Sequence, residues 1–103
     1  MTKGITKNTT IYSASAWWRD SDPSMGIVAL TLKKAESKIY ELIKDAAREA
    51  REDGSYPSIP KAMDAIAWSG VHKFSLGDIA SDRELDEAID DLESRGYWYP
   101  PIS

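Results

Sequence analysis

The 103-residue chain contains no cysteine and a single histidine, His72. Without cysteine the chain has no disulfide framework, no thiolate nucleophile and no cysteine-based metal centre. One histidine cannot build a histidine metal cluster, and neither a nucleophile-elbow sequence nor a glycine-rich phosphate loop accompanies it. We therefore expect a protein that is not an enzyme and that uses no cofactor or metal.

Long apolar runs are also missing. No stretch approaches the roughly 18 apolar residues of a membrane-spanning helix, and the first residues, MTKGITKNTT, lack the apolar centre of a signal peptide. We expect no membrane association and a cytoplasmic location. The composition is 42% hydrophobic and 29% charged, which is the balance of a folded protein, and the length predicts a single domain over residues 1–103.

The residues present in the first half predict a β-hairpin at about 9–32 followed by a long helix. In the segment 9–18 the less polar residues alternate, as in a strand with one buried face: Tyr12, Ala14, Ala16 and Trp18. Turn-forming residues from Asp20 to Gly26 predict a loop of about seven residues before the second strand. Over about 32–53, apolar residues three and four apart predict an amphipathic helix that ends at Gly54.

The second half, about 60–99, is predicted to be mainly helical. Its pattern predicts short helices at 61–68 and 76–80 and a longer helix at 82–95, ended by Gly96. Residues 97–99 then predict a short aromatic strand, which two prolines close. The predicted fold class is α+β: an N-terminal hairpin packed on a long amphipathic helix, and a helical C-terminal half that ends in a short aromatic strand.

The apolar spacing of this half resembles a winged helix-turn-helix. The resemblance covers about 40 residues and is carried by Phe74-Ser75-Leu76, Asp78-Ile79-Ala80, Leu85, Ile89, Leu92-Glu93 and Gly96-Tyr97-Trp98. It implies a helix-turn-helix shape whose longest helix would lie in a DNA groove. In general style, a short, acidic, cysteine-free chain also resembles the accessory proteins of bacteriophages and mobile elements, which often inhibit or redirect host machinery.

The charge of the last quarter conflicts with DNA binding. Residues 78–103 hold eight acids and two bases, a net charge of −6, whereas the rest of the chain holds eleven bases and nine acids. A helix in a DNA groove must neutralise phosphates, and this helix offers only Arg83 and Arg95. We therefore do not expect direct nucleic-acid binding here, and a helix-turn-helix shape used for protein contact fits the charge better.

The acids and the tryptophans together predict a partner-binding surface. With Leu85 at the centre of the buried stripe, acids occupy both flanks of the predicted helix, and neighbours four apart repel by roughly 0.2–0.5 kcal/mol per pair. Adjacent strand residues point to opposite faces, so Trp17 and Trp18 cannot both enter one core. The predicted partner-binding residues are Asp82, Glu84, Asp86, Glu87, Asp90, Asp91, Glu93, Trp17, Trp18 and Trp98.

The leading hypothesis is a non-catalytic protein-binding module of inhibitor or modulator type. Its acidic face would dock on a protein or complex with a basic surface, including a nucleic-acid-binding one whose ligand it would mimic. Solubility alone is the competing explanation of the acids. Two further alternatives are a structural or homo-oligomeric subunit and a winged-helix-like transcriptional regulator. The regulator would bind nucleic acid through Lys33, Lys34, Lys38 and Lys44.

Overall fold

One antiparallel sheet forms the centre of the molecule. The computed structural model describes residues 4–19 and 21–100, with only the backbone for 21–24. The strands are β1 (Thr10–Trp18), β2 (Ser21–Ala29), β3 (Ile66–Trp68), β4 (His72–Ser75) and β5 (Tyr97–Trp98). The hairpin strands β1 and β2 pair along their length, β5 pairs with β2, and β3 and β4 follow one another along the other edge of β1.

Helices lie on both sides of this sheet. They are α1 (Leu32–Glu52), α2 (Ile59–Asp64), α3 (Leu76–Ile79) and α4 (Leu85–Arg95). The α+β class is confirmed, as are the hairpin, the long helix that follows it and the short C-terminal strand. The long helix begins where the side chain of Thr31 accepts the Lys34 N–H at 3.1 Å, a typical N-cap.

The first face of the sheet packs against α1 and α2, and we call it the α1 face. Alternate residues of β1, Ala14 and Ala16, are buried there beneath Ile39 and Ile43 of the helix. Small residues on the strand let the helix approach closely, and Ala62 of α2 completes the layer. The alternation read from the sequence therefore identifies this buried face at Ala14 and Ala16, but the prediction of only one buried face is wrong, because Ile11 on the opposite side of β1 is fully buried as well.

The second face packs against α3 and α4, and we call it the α4 face. Ile11 and Val28 contribute from the sheet, Leu92 from α4 and Trp98 from β5. This core occupies only one end of the face. The strand residues that continue along this face, Ser13, Ser15 and Trp17, are not fully buried.

The hairpin loop is shorter than predicted. The loop has two residues, because β2 already begins at Ser21, and the second of them, Asp20, lies outside the described residues. The register changes from Trp17 opposite Ser24 to Trp18 opposite Ser21, which forms a β-bulge. A β-bulge tolerates Pro23, which has no N–H to donate to the neighbouring strand. The turn-forming residues that follow the loop are therefore part of an irregular strand.

The prediction of a helix at 61–68 is wrong for its second part, after Asp64. The helix ends at Asp64, and Ile66–Trp68 forms β3 by pairing with the end of β1. His72–Ser75 forms β4 in the same way and was not predicted. Strand pairing is a tertiary contact, and here it overrides the local apolar pattern.

The packing does not support the winged helix-turn-helix resemblance. In that motif the successive helices pack on one another, but here the sheet lies between α2 and the other two helices. Ala62 of α2 belongs to the core of the α1 face, whereas Leu76 of α3 and Ala88 of α4 belong to the core of the α4 face. Within residues 4–19 and 21–100, no helix is long and apolar enough to cross a membrane.

Candidate functional site

Helix α4 carries most of the predicted acidic residues, and its two ends fix its position. The Ser81 N–H donates to Oε1 of Glu84 at 3.0 Å, and Glu84 is the N-cap. Two carboxylates in the first turn interact favourably with the helix dipole. Gly96 ends the helix in the left-handed conformation, at φ 83°. The helix begins three residues later than predicted, so Asp82 lies in the turn before it.

The seven predicted acids divide into two groups. Glu84 is half-buried and its side chain accepts the Ser81 N–H, and Asp91 pairs with Arg95 at 3.0 Å between Oδ2 and Nη2. The other five are exposed and form no ion pair within the described part of the chain. We call these five the acidic surface: Asp82, Asp86, Glu87, Asp90 and Glu93.

The acidic surface lowers the stability of its own helix. Asp90 lies four residues from Asp86 and three from both Glu87 and Glu93, so each neighbour is on the same side of the helix. At roughly 0.2–0.5 kcal/mol per like-charged pair, these contacts cost on the order of 1 kcal/mol. A basic partner would relieve that repulsion.

The three predicted tryptophans occupy three different environments. Trp17 is 38% exposed on the α4 face. Trp18 is half-buried on the other face and stacks on Tyr56, with ring centres 5.6 Å apart. Trp98 is only 1% exposed and lies inside the core of the α4 face. The anchor role predicted for Trp98 is therefore incompatible with its burial, and Trp17 is the accessible candidate.

Trp17 does not adjoin the acidic surface. Ile11 packs in the same core as Leu92 of α4, and Trp17 lies six residues further along β1. At about 3.3 Å per residue this is a separation of about 20 Å. A partner that contacts both regions would have to cover the half-buried serines between them, Ser13 and Ser15.

A basic and aromatic cluster lies where α4 meets β5. The guanidinium carbon of Arg95 is 4.7 Å from the centre of the Tyr97 ring, and the Lys38 ammonium is 4.5 Å from it. Lys38 Nζ also lies 3.5 Å from Oε2 of Glu41. One of the four lysines in the nucleic-acid-binding alternative is thus already engaged within the molecule. Desolvation and then the neighbouring Tyr97 raise the pKa of Tyr99.

The described residues contain no group of three or more side chains suited to holding a metal ion. His72 uses Nε2 for a contact of 2.9 Å with the Ser69 carbonyl oxygen. An open depression of about 340 Å³ lies on the α1 face, away from the acidic surface. It is lined by Arg19, Ile43, Met63, Asp64, Ile66 and Trp68.

The sequence pointed to the acids but not to their distribution in space. Helix periodicity alone could not show that α1 and α4 lie on opposite faces of one sheet, because that depends on how the strands pair. Searches against protein-family models, curated proteins and solved structures gave no match.

Proposed function

We propose that the chain is a non-catalytic binding protein whose acidic surface docks on a basic surface of another protein. The observation that carries the proposal is the group of five exposed carboxylates on and before α4 that have no ion pair within the described residues. Such a group raises the local concentration of a basic partner and favours its encounter. The activity is of inhibitor or modulator type, as in the accessory proteins that the chain resembles in style.

A nucleic-acid-binding protein is the kind of partner that this surface suits best. Its binding groove is lined by lysines and arginines that normally neutralise phosphates. Carboxylates four residues apart on α4 rise about 6 Å along the helix and present a comparable row of negative charge. The proposed mode is occupation of such a groove in place of the nucleic acid.

Affinity capture with a matched pair of variants tests this function. The test variant carries Asp82→Lys, Asp86→Lys and Asp90→Lys, and the control carries Glu36→Lys, Glu49→Lys and Glu52→Lys on α1. Both have the same net charge, and all six positions are exposed. We expect the wild type and the control to retain the same basic protein from a lysate of cells that produce the chain, and the test variant to lose it.

Two further readings complete the test. Binding should weaken as salt is raised, because exposed charges are screened. If the partner binds nucleic acid, duplex DNA should compete with the chain for it. Retention of the partner by the test variant would rule out the acidic surface, and direct binding of DNA to the purified chain would favour the regulator alternative instead.

A further inference from the structure

The outer side of α1 carries a row of bases with the same spacing as acids on α4. The basic row comprises Lys44, Arg48 and Arg51, which are exposed and stand at intervals of four and three residues. Arg48 Nη1 also lies 2.9 Å from Asp45 Oδ1 within α1, so this exposed ion pair would have to exchange for a contact with another surface. The acidic row comprises Asp86, Asp90 and Glu93, which are exposed at the same intervals. These intervals keep each row on one side of its helix over a rise of about 10 Å.

The two rows cannot meet within one molecule. Helix α1 packs on one face of the sheet and α4 on the other, so their exposed sides point away from each other. The shorter extents of the molecule are 24 and 20 Å. Because charges are largely screened beyond about 8 Å at physiological salt, each row acts as a separate surface.

We propose that the basic row of one molecule binds the acidic row of a second copy. The rows have opposite sign, equal length and identical intervals, which favours a second copy of the chain as the binding partner. With the helices side by side and parallel, Lys44 would face Asp86, and Arg51 would face Glu93. Tyr40, which is 54% exposed one turn before the row, adds an aromatic contact of the kind common at interfaces.

The contact joins different surfaces of the two molecules. Each molecule in a pair keeps one free row, so further copies can add and the assembly is open-ended unless it closes into a ring. All six side chains are exposed, and exposed ion pairs are individually weak. Self-association should therefore be concentration-dependent and strongly reduced by salt. The acidic row is part of the acidic surface, so self-association would compete with the partner proposed above. The tests below use the purified chain alone, and their failure would leave that proposed function untouched.

Sedimentation velocity of the wild-type chain is the first test. At about 0.01 M salt the Debye length is about 30 Å, and at about 1 M it is about 3 Å. We expect the weight-average mass to rise with protein concentration at the lower salt and to equal that of a monomer, 11.5 kDa, at the higher salt. A constant monomer mass at low salt over the whole concentration range would overturn the proposal.

Charge exchange between the rows is the second test. Reversal of the basic row alone (Lys44→Glu, Arg48→Glu, Arg51→Glu) should give a monomer, as should reversal of the acidic row alone (Asp86→Lys, Asp90→Lys, Glu93→Lys). A chain that carries both sets keeps the native net charge of −4 and regains complementary rows. We expect it to self-associate as the wild type does.

A pair of neutral variants tests whether association depends on the basic row or only on the net charge of the chain. Changing Lys44, Arg48 and Arg51 to Gln should abolish association, whereas changing the exposed Lys34, Lys61 and Lys73 to Gln gives the same net charge and should preserve it. Circular dichroism checks that each variant is folded. If the doubly reversed chain does not fold, a mixture of the two singly reversed chains replaces it, and each must remain a monomer alone. Association that persists after reversal of the basic row, or fails to return in the folded exchanged chain, would overturn the proposal.

Discussion

At the scale of single residues, Trp98 stabilises the core and is too deeply buried to contact a partner. Its indole fills the core of the α4 face together with Ile11, Val28 and Leu92. We expect Trp98→Ala to lower the free energy of unfolding by about 3–5 kcal/mol, the usual cost of emptying a buried aromatic site. Urea denaturation measures this change.

Trp17 provides the control for that substitution. Because Trp17 is 38% exposed, Trp17→Ala leaves a smaller cavity and should cost much less stability than Trp98→Ala. Trp17→Ala should instead weaken partner capture if the partner reaches along the sheet. Equal losses of stability in the two variants would contradict the burial described for Trp98.

Tyr99 gives a residue-scale prediction at high pH. Its pKa is raised in the folded chain by desolvation and by Tyr97, so folding favours the neutral phenol. The resulting stability is fully present below about pH 10, the usual tyrosine pKa, and is lost as pH rises through the folded-state pKa. Ultraviolet titration of tyrosinate should show a late step that Tyr99→Phe removes and that Tyr40→Phe, at an exposed position, leaves unchanged.

At the scale of elements, repulsion between its carboxylates lowers the stability of α4. Lysine at position 90 would convert three repulsive contacts, with Asp86, Glu87 and Glu93, into attractive ones. We expect Asp90→Lys to raise the free energy of unfolding by on the order of 1 kcal/mol at low salt, with less gain at high salt. Thermal or urea unfolding at two salt concentrations checks this.

Asp90→Asn should give a smaller gain than Asp90→Lys, because it removes repulsion without adding attraction. A gain in stability together with a loss of partner capture would indicate that the acids are kept for binding. Stabilisation with unchanged capture would favour solubility as their explanation. Destabilisation by Asp90→Lys would contradict the electrostatic account of the helix.

The elements that the sequence predicted well are those defined by local patterns. Helix α1 was predicted at about 32–53 and spans Leu32–Glu52. The prediction succeeded because the apolar stripe and the glycine that follows it, Gly54, are local features of the sequence. Strand β3 was predicted as helix, because Ile66–Trp68 becomes a strand only through its pairing with β1. No pattern inside three residues can encode a partner that lies some fifty positions earlier in the chain.

At the scale of the whole molecule, two cores share one sheet. Ile39 lies in the core of the α1 face and Leu92 in that of the α4 face, and β1 contributes side chains to both. Since each core depends on the same strands, we expect one cooperative unfolding transition, as a single domain predicts. Ile39→Ala and Leu92→Ala should each lower the free energy of unfolding by about 2–5 kcal/mol.

Two probes test this cooperativity. Tryptophan fluorescence and far-ultraviolet circular dichroism should report the same midpoint in each variant. Separate transitions, with only one of them shifted by Leu92→Ala, would mean that the faces unfold independently and would contradict the single-domain prediction.

The candidate site was predicted only in part, because the accessibility of its residues also depends on tertiary contacts. Charge content can be counted along the chain, so the acids near Asp86 and Asp90 were identified directly. Their accessibility depends on the three-dimensional arrangement, in which Glu84 accepts the Ser81 N–H and Asp91 pairs with Arg95. The buried position of Trp98 likewise depends on the pairing of β5 with β2.

The placement of α1 and α4 on opposite faces of the sheet also governs the approach of a partner. Residues 78–103 carry a net charge of −6 and the rest of the chain +2, which gives the molecule an electric dipole moment with its negative end on the α4 side. A basic protein diffusing nearby would exert a torque on this dipole and turn the α4 side toward itself before contact. If the proposed basic partner binds the acidic surface, the fraction of collisions that lead to binding should fall as added ions shorten the range of that torque.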